Sequence, residues 1–272
     1  MTEIITDILG TPVLVRALIV GILVSLCAAL LGVSLVLKRF SMIGDGLSHV
    51  GFGALAVATV LNLAPMAVAI PVVIVAAFLL LRLSSNGKIK GDAAIALIST
   101  GALGIGVMAV SLSSGSNVDI NSYLFGSIIS VSRSDVIISV ILASIVLFMF
   151  IFLYTKIFAI TFDESFAKAT GGAVNVYNML IALLTAITIV IGMRLMGSML
   201  ISSLIIFPAL CSMRVFKSFL SVTVSSAVVS VVTFIIGMII SYAFDTPCGA
   251  SIVCVNIAAF AGFFAVGKIL NK

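Results

Sequence analysis

The chain has 272 residues, of which 62% are hydrophobic and only 8% are charged, and its formal net charge is +5. A water-soluble domain carries about 25% charged residues, so this composition excludes a soluble enzyme or a soluble binding module and indicates a membrane protein surrounded by lipid. The basic residues stand singly or in pairs at the ends of apolar runs. This pattern is typical of membrane topology, and we therefore expect no nucleic-acid partner.

The apolar runs predict an all-α polytopic membrane protein with about eight or nine transmembrane helices. The predicted helices are 12–37, 42–62, 64–83, 92–111, 134–157, 175–195, 198–213, 219–242 and 250–267. The seventh is short, which allows a broken or re-entrant segment. An outer loop at 112–133, with an amphipathic piece at Tyr123–Ile129, and an inner loop at 158–174 are longer than turns. We found no internal repeat and predict one transmembrane domain over residues 1–272.

The distribution of lysine and arginine predicts the orientation of the chain. With the N-terminus outside and the C-terminus in the cytoplasm, eleven of the fourteen basic residues lie on the cytoplasmic side, and the opposite orientation reverses this bias. The three on the outer side are Arg16, Arg133 and Arg194, and the cytoplasmic ones are Lys38, Arg39, Arg82, Lys88, Lys90, Lys156, Lys168, Arg214, Lys217, Lys268 and Lys272.

The second predicted helix opens with Gly44–His49 (GDGLSH), where Asp45 and the only histidine of the chain, His49, are four residues apart. Side chains at this spacing share a helix face about 6 Å apart. A carboxylate and an imidazole are suitable partial ligands for Zn²⁺, Mn²⁺ or Fe²⁺, and a two-fold dimer would supply four such groups. The alternative is a structural Asp–His hydrogen bond at a helix N-terminus, where an acidic group is favourable. The residue types leave both interpretations open.

The inner loop contains Phe162–Gly172 (FDESFAKATGG), which predicts a short helix capped by Asp163 with Glu164 in its first turn. Gly171 or Gly172 suits a left-handed residue at its end. Such a helix can dock into a groove of a partner protein, or it can lie solvated along the membrane surface.

A third segment, Leu195–Ala209, is rich in small and hydroxyl residues, and we interpret Gly197, Ser202, Ser203 and Pro208 as positions for close helix packing or gating. The sequence contains no GxxxxGK[ST] phosphate loop and few carboxylates inside predicted helices. Any energy for transport is therefore expected to come from a separate protein.

Five segments together resemble the permease subunits of ABC transporters that import zinc, manganese or iron. Gly44–His49 matches the family's GDxxSH signature, Phe162–Gly171 its FDxxFAxxxG segment, and Leu195–Ala209 its GxxLxxxLLxxPA segment. Asp245–Val253 resembles its PxGAxI stretch, and Tyr123–Ser127 fits an outer segment. The order and spacing agree over nearly the whole chain.

The resemblance implies a permease in the bacterial cell membrane that is not itself an enzyme and holds no permanent cofactor. It implies a second permease copy, cytoplasmic ATP-binding subunits that hydrolyse ATP, and an extracellular or periplasmic metal-binding protein, in addition to membrane lipid. Asp45 and His49 become metal-contacting residues of the pathway. The segment at about 161–172 becomes the coupling segment to the ATPase, and the residues implied are Phe162, Asp163, Glu164, Phe166, Ala167 and Gly171.

The residues leave zinc and manganese open, with a slight preference for zinc because imidazole favours it. The alternative function is an ion-gradient-coupled secondary metal transporter that works alone, although the sequence shows neither inverted repeats nor several buried carboxylates.

Overall fold

The computed structural model of the protein describes residues 10–85, 91–113 and 133–270, and the regular secondary structure in these ranges is entirely helical. The helices are α1 (Pro12–Leu37), α2 (Ile43–Val60), α3 (Pro65–Ser85), α4 (Gly91–Leu112), α5 (Arg133–Phe152), α6 (Tyr154–Phe162), α7 (Glu164–Ala169), α8 (Val174–Met196), α9 (Ser198–Val215), α10 (Phe219–Phe244) and α11 (Cys248–Leu270). Within the described residues, eight helices are long and apolar enough to cross a membrane, or nine if the bent pair α5–α6 forms one span. The predicted all-α membrane fold with eight or nine spans is confirmed.

The fifth predicted helix, 134–157, is not continuous, and that part of the prediction was wrong. The chain bends by 69° between α5 and α6 at Leu153. The bend has no proline or glycine as its local cause. Instead, α6 packs against the first residue of α10, because the ring of Phe219 lies 5.4 Å from that of Tyr154 and 5.3 Å from that of Phe158. The bent helix α6 thus packs its aromatic rings against α10.

The seventh predicted helix, whose short length allowed a broken or re-entrant segment, is the continuous 18-residue helix α9. A single residue, Gly197, separates it from α8, with φ 85° and ψ 160°. This backbone conformation is essentially restricted to glycine. The reversal from α8 to α9 therefore depends on the absence of a side chain at this position.

Helix α9 lies inside the bundle, where it packs against α1, α2, α8, α10 and α11. The approach to α1 is very close, because a Cβ atom added to Gly32 would lie 2.1 Å from the carbonyl oxygen of Ile205. One continuous apolar core contains residues from every described helix except α7. This core fixes α9 beside the first turns of α2, where the predicted metal ligands lie.

The outer-loop segment Tyr123–Ile129 and most of the predicted loop 112–133 lie outside the described residues.

Candidate functional site

Asp45 and His49 lie on the first two turns of α2 and share one face of the helix, as the sequence predicts. Nε2 of His49 is 3.5 Å from Oδ2 of Asp45, and the two side chains are 27% and 43% exposed respectively. Ionisable groups inside a membrane span are costly and usually face a bundle interior or an aqueous path. Their partial exposure places this pair at the surface of the single chain rather than within its core.

Helix α9 places a third polar group beside the pair: the hydroxyl of Ser202 lies near the carboxylate of Asp45 and donates a hydrogen bond of 3.3 Å to the carbonyl oxygen of Ser198 on its own helix. Gly44 lies at this contact between α2 and α9. A Cβ atom added there would lie 2.9 Å from Cδ1 of Ile205 and 3.8 Å from Cα of Ser202. The structure thus brings together two residues predicted as metal ligands and one predicted for packing or gating.

The geometry of Asp45 and His49 suits two ligands of one metal ion. Two ligand atoms of a tetrahedral zinc ion are about 3.4 Å apart, given bonds of about 2.0–2.2 Å, and the observed separation is 3.5 Å. Among the described residues, however, no group of three or more His, Cys, Asp or Glu side chains could hold a metal ion. Nδ1 of His49 is buried, and it has no hydrogen-bond partner among the described residues. The described residues of one copy therefore place two such groups, one carboxylate and one imidazole, at this position.

Ser203, the neighbour of Ser202, contacts a different helix, α11. Nδ2 of Asn256 on α11 donates a hydrogen bond of 2.7 Å to its hydroxyl oxygen, and both side chains are buried. The sequence reasoning missed Asn256, although an amide in the middle of the last apolar run was a visible signal. Ser203 thus joins α9 to α11, while Ser202 faces α2, and Pro208 lies buried farther along α9.

The short inner helix α7 has the local structure that the sequence predicts. Oδ1 of Asp163 accepts a hydrogen bond of 2.8 Å from the backbone N–H of Phe166 and so caps the helix. Gly171 takes the left-handed conformation after its end, with φ 81°. Ala167 is buried in a small apolar cluster, whereas Phe162 and Phe166 are exposed. The helix is therefore anchored by Ala167 and exposes the ring of Phe166, and the exposed ring of Phe162 lies at the end of the preceding helix α6.

Glu164 connects α7 to the rest of the bundle, through two residues that the sequence reasoning did not single out. Nζ of Lys38, just after α1, lies 3.7 Å from Oε2 of Glu164 and also donates a hydrogen bond to Asn178 on α8. Burial lowers the pKa of Lys38, and the nearby carboxylate of Glu164 partly offsets this effect.

The fold and the site together define a multi-pass helical membrane protein with a partly exposed Asp–His pair on the face of α2 and an anchored helix outside the spans.

Comparison with known proteins identifies the family of this membrane protein, because residues 11–267 match the model of the ABC 3 transport family. The chain therefore belongs to this family and is a multi-pass protein of the bacterial membrane. It is 29% identical over 248 residues to the high-affinity zinc uptake system membrane protein ZnuB of Haemophilus influenzae, covering 91% of this chain and 95% of that protein. It is 28% identical over 254 residues to the manganese import system permease protein ScaB of Streptococcus gordonii, covering 93% and 91% of the two chains.

A solved structure titled PsaBC from Streptococcus pneumoniae in complex with Fab has the same fold, with a TM-score of 0.86 and 28% identity. The match covers 97% of this chain and 95% of that one. The family and this structure indicate a permease that works with partner components of an ABC transporter.

Proposed function

We propose that this chain is the permease of an ATP-driven importer for a divalent transition metal, zinc or manganese. The observation that carries the proposal is the Asp45–His49 pair on α2, held against Ser202 of α9. The relatives named for zinc uptake and for manganese import support the same cargo class. The cargo binds during transport, and the proposal includes no permanently bound cofactor.

The incomplete site suits transport by a dimer. A single chain offers one carboxylate and one imidazole, and a second copy related by a two-fold axis would double this set to the four ligands typical of zinc. Groups half-exposed on the surface of one chain can meet across such an axis. A site assembled from two chains can also be opened again when the chains move, which allows the ion to leave.

The proposed contact with ATP-binding subunits is α7 with the preceding end of α6, and the aromatic groups presented to them are Phe166 on α7 and Phe162, the last residue of α6. Phe166 is exposed outside the membrane spans and Phe162 is exposed at the end of α6, and exposed large apolar side chains in such a place commonly mark a binding surface. Asp163 and Gly171 define the ends of the helix, and buried Ala167 holds it to the bundle. With the predicted orientation, this surface faces the cytoplasm and a metal-binding protein delivers the ion from the outside.

The choice between zinc and manganese follows from ligand chemistry only in part. Imidazole slightly favours zinc, and carboxylate oxygens suit manganese equally well. We therefore keep both metals in the proposal, with a slight preference for zinc.

The test is metal uptake by proteoliposomes that contain the permease together with its ATP-binding subunits, with the proposed metal-binding protein supplied on the outer side. We expect uptake of zinc or manganese that requires ATP and is reduced by the other metal as a competitor. Uptake that continues without ATP and stops when the proton or sodium gradient collapses would instead establish the secondary transporter. Absence of uptake of either metal, with ATP supplied and the complex intact, would remove the proposed cargo.

A further inference from the structure

The turn between α1 and α2, residues 38–42, is a rigid connection. The backbone N–H of Phe40 donates to the carbonyl of Leu35 at 2.9 Å, and that of Ile43 donates to Phe40 at 3.0 Å. Arg39 takes the left-handed conformation with φ 62°, which costs a residue with a side chain about 1–2 kcal/mol. Such a conformation persists only where the surrounding structure determines it. A displacement of the end of α1 is therefore passed directly to the beginning of α2.

Lys38 begins this turn and closes a ring of polar contacts between three elements. Its Nζ lies 3.7 Å from Oε2 of Glu164 on α7 and donates a hydrogen bond to Oδ1 of Asn178 on α8. Nδ2 of Asn178 in turn donates to Oε1 of Glu164 at 3.0 Å. The Lys38 side chain is only 10% exposed, and Glu164 is 54% exposed. We call these three residues the inner joint.

The inner joint borders a cavity of about 600 Å³, which Phe40, Ile43 and Arg82 also line. The turn between α1 and α2 and the inner joint therefore face the same free volume. Close-packed interiors resist continuous deformation and shift between discrete arrangements. Open space beside the joint permits such a shift without a collision in the core.

We propose that Lys38 is a positioning residue that transmits movement of α7 to the first turn of α2. The inference rests on the proposed function, because α7 moves only if an ATP-binding subunit docks there. Movement of α7 acts on Lys38 through Glu164, and the rigid turn carries it to Ile43 and to Asp45, seven residues after Lys38. Lys38 acts on the metal pathway through the backbone and touches no cargo.

If Lys38 only stabilises the structure, its removal should have a different effect from the one expected if Lys38 transmits movement of α7 to α2. If the inner joint only held α7 in place, its loss would lower stability or release the ATP-binding subunits. If the joint transmits movement, its loss would leave binding and ATP hydrolysis in place and lower the amount of metal moved for each ATP consumed. The ratio of metal transported to ATP hydrolysed is therefore the decisive quantity.

The experiment compares Lys38→Met, Glu164→Gln and the double variant in the reconstituted complex with its ATP-binding subunits. Lys156→Met makes the same chemical change at an exposed position on α6 and serves as the matched control. We expect the ratio of metal to ATP to fall about fivefold in Lys38→Met, a coupling of ordinary size. The double variant should be no worse than Lys38→Met alone, because Lys38→Met already removes the Lys38–Glu164 ion pair that Glu164→Gln would weaken. The control should keep the wild-type ratio.

A wild-type ratio in Lys38→Met would overturn the inference, and so would loss of the ATP-binding subunits from a correctly folded Lys38→Met chain. If Lys38→Met does not fold, Glu164→Gln carries the test, because its exposed side chain is easily replaced, and an unchanged ratio would overturn the inference. Failure of the proposed function looks different: the wild-type complex itself would move no metal or would hydrolyse no ATP.

Discussion

The contact between Gly32 and Ile205 allows a quantitative test of how α9 is held beside α1. In Gly32→Ala, the new Cβ would lie 2.1 Å from the carbonyl oxygen of Ile205 and 2.9 Å from its carbonyl carbon. These are backbone atoms, so no side-chain rotation relieves the overlap. The oxygen would have to move to at least 3.0 Å from the Cβ, a shift of about 0.9 Å of the α9 backbone.

This shift should destabilise the protein by about 1–3 kcal/mol, the usual cost of forcing one extra methyl-sized group into a packed core. Because Ser202 lies one turn before Ile205, the same shift of the α9 backbone should also move the Ser202 hydroxyl, which lies near Asp45. The assay is the thermal stability of the purified chain in detergent, followed by metal uptake of the reconstituted complex. We expect both to fall.

Gly104→Ala is the matched control, because a Cβ atom at that position in α4 meets nothing within 4 Å. Replacing glycine by alanine inside a helix normally stabilises it by about 0.8–1.0 kcal/mol. Gly104→Ala should therefore be neutral or slightly more stable than wild type. Equal stability of Gly32→Ala and Gly104→Ala would refute the close approach of α1 and α9.

Three further changes probe other parts of the structure. Gly197→Ala should lower the stability, measured by thermal unfolding, by about 1–3 kcal/mol, because the φ of 85° and ψ of 160° at this position suit only glycine. Wild-type stability of this variant would contradict the one-residue connection between α8 and α9. Phe166→Asp should abolish co-purification of the ATP-binding subunits. Phe244 is also exposed but lies at the other end of the bundle, so Phe244→Asp should keep them bound. Retained binding in Phe166→Asp would argue against α7 as the docking helix. Asn256→Leu should lower the thermal stability, by about 1–3 kcal/mol, since it removes the buried partner of Ser203; an unchanged melting temperature would show that the bond contributes nothing net.

Much of the fold follows from sequence patterns that depend on a single segment. Hydropathy locates the spans because each must be apolar over its own length, and α7 is predictable because Asp163 and Gly171 act on the local backbone. The spacing of Asp45 and His49 likewise fixes their shared face within one helix.

Features that depend on contacts between distant segments could not be predicted in this way. The bend at Leu153 has no local breaker and accompanies packing on Phe219 of α10. Lys38 looks like an ordinary basic residue at the end of a span, and its role in the inner joint appears only when α7 and α8 are placed beside it. The meeting of Ser202 with Asp45 similarly requires knowledge that α9 packs against α2.

The most direct test of the central claim measures metal uptake by the reconstituted complex with Asp45→Asn and with His49→Ala. Asp245→Asn is the matched control, because it makes the same change at an exposed left-handed position that asparagine tolerates. If the pair contacts the ion, uptake should fall at least about tenfold in both variants, as it does when groups around a metal site are removed. The ATP-binding subunits should remain bound, and the control should transport normally. Wild-type uptake by both Asp45→Asn and His49→Ala would contradict the claim.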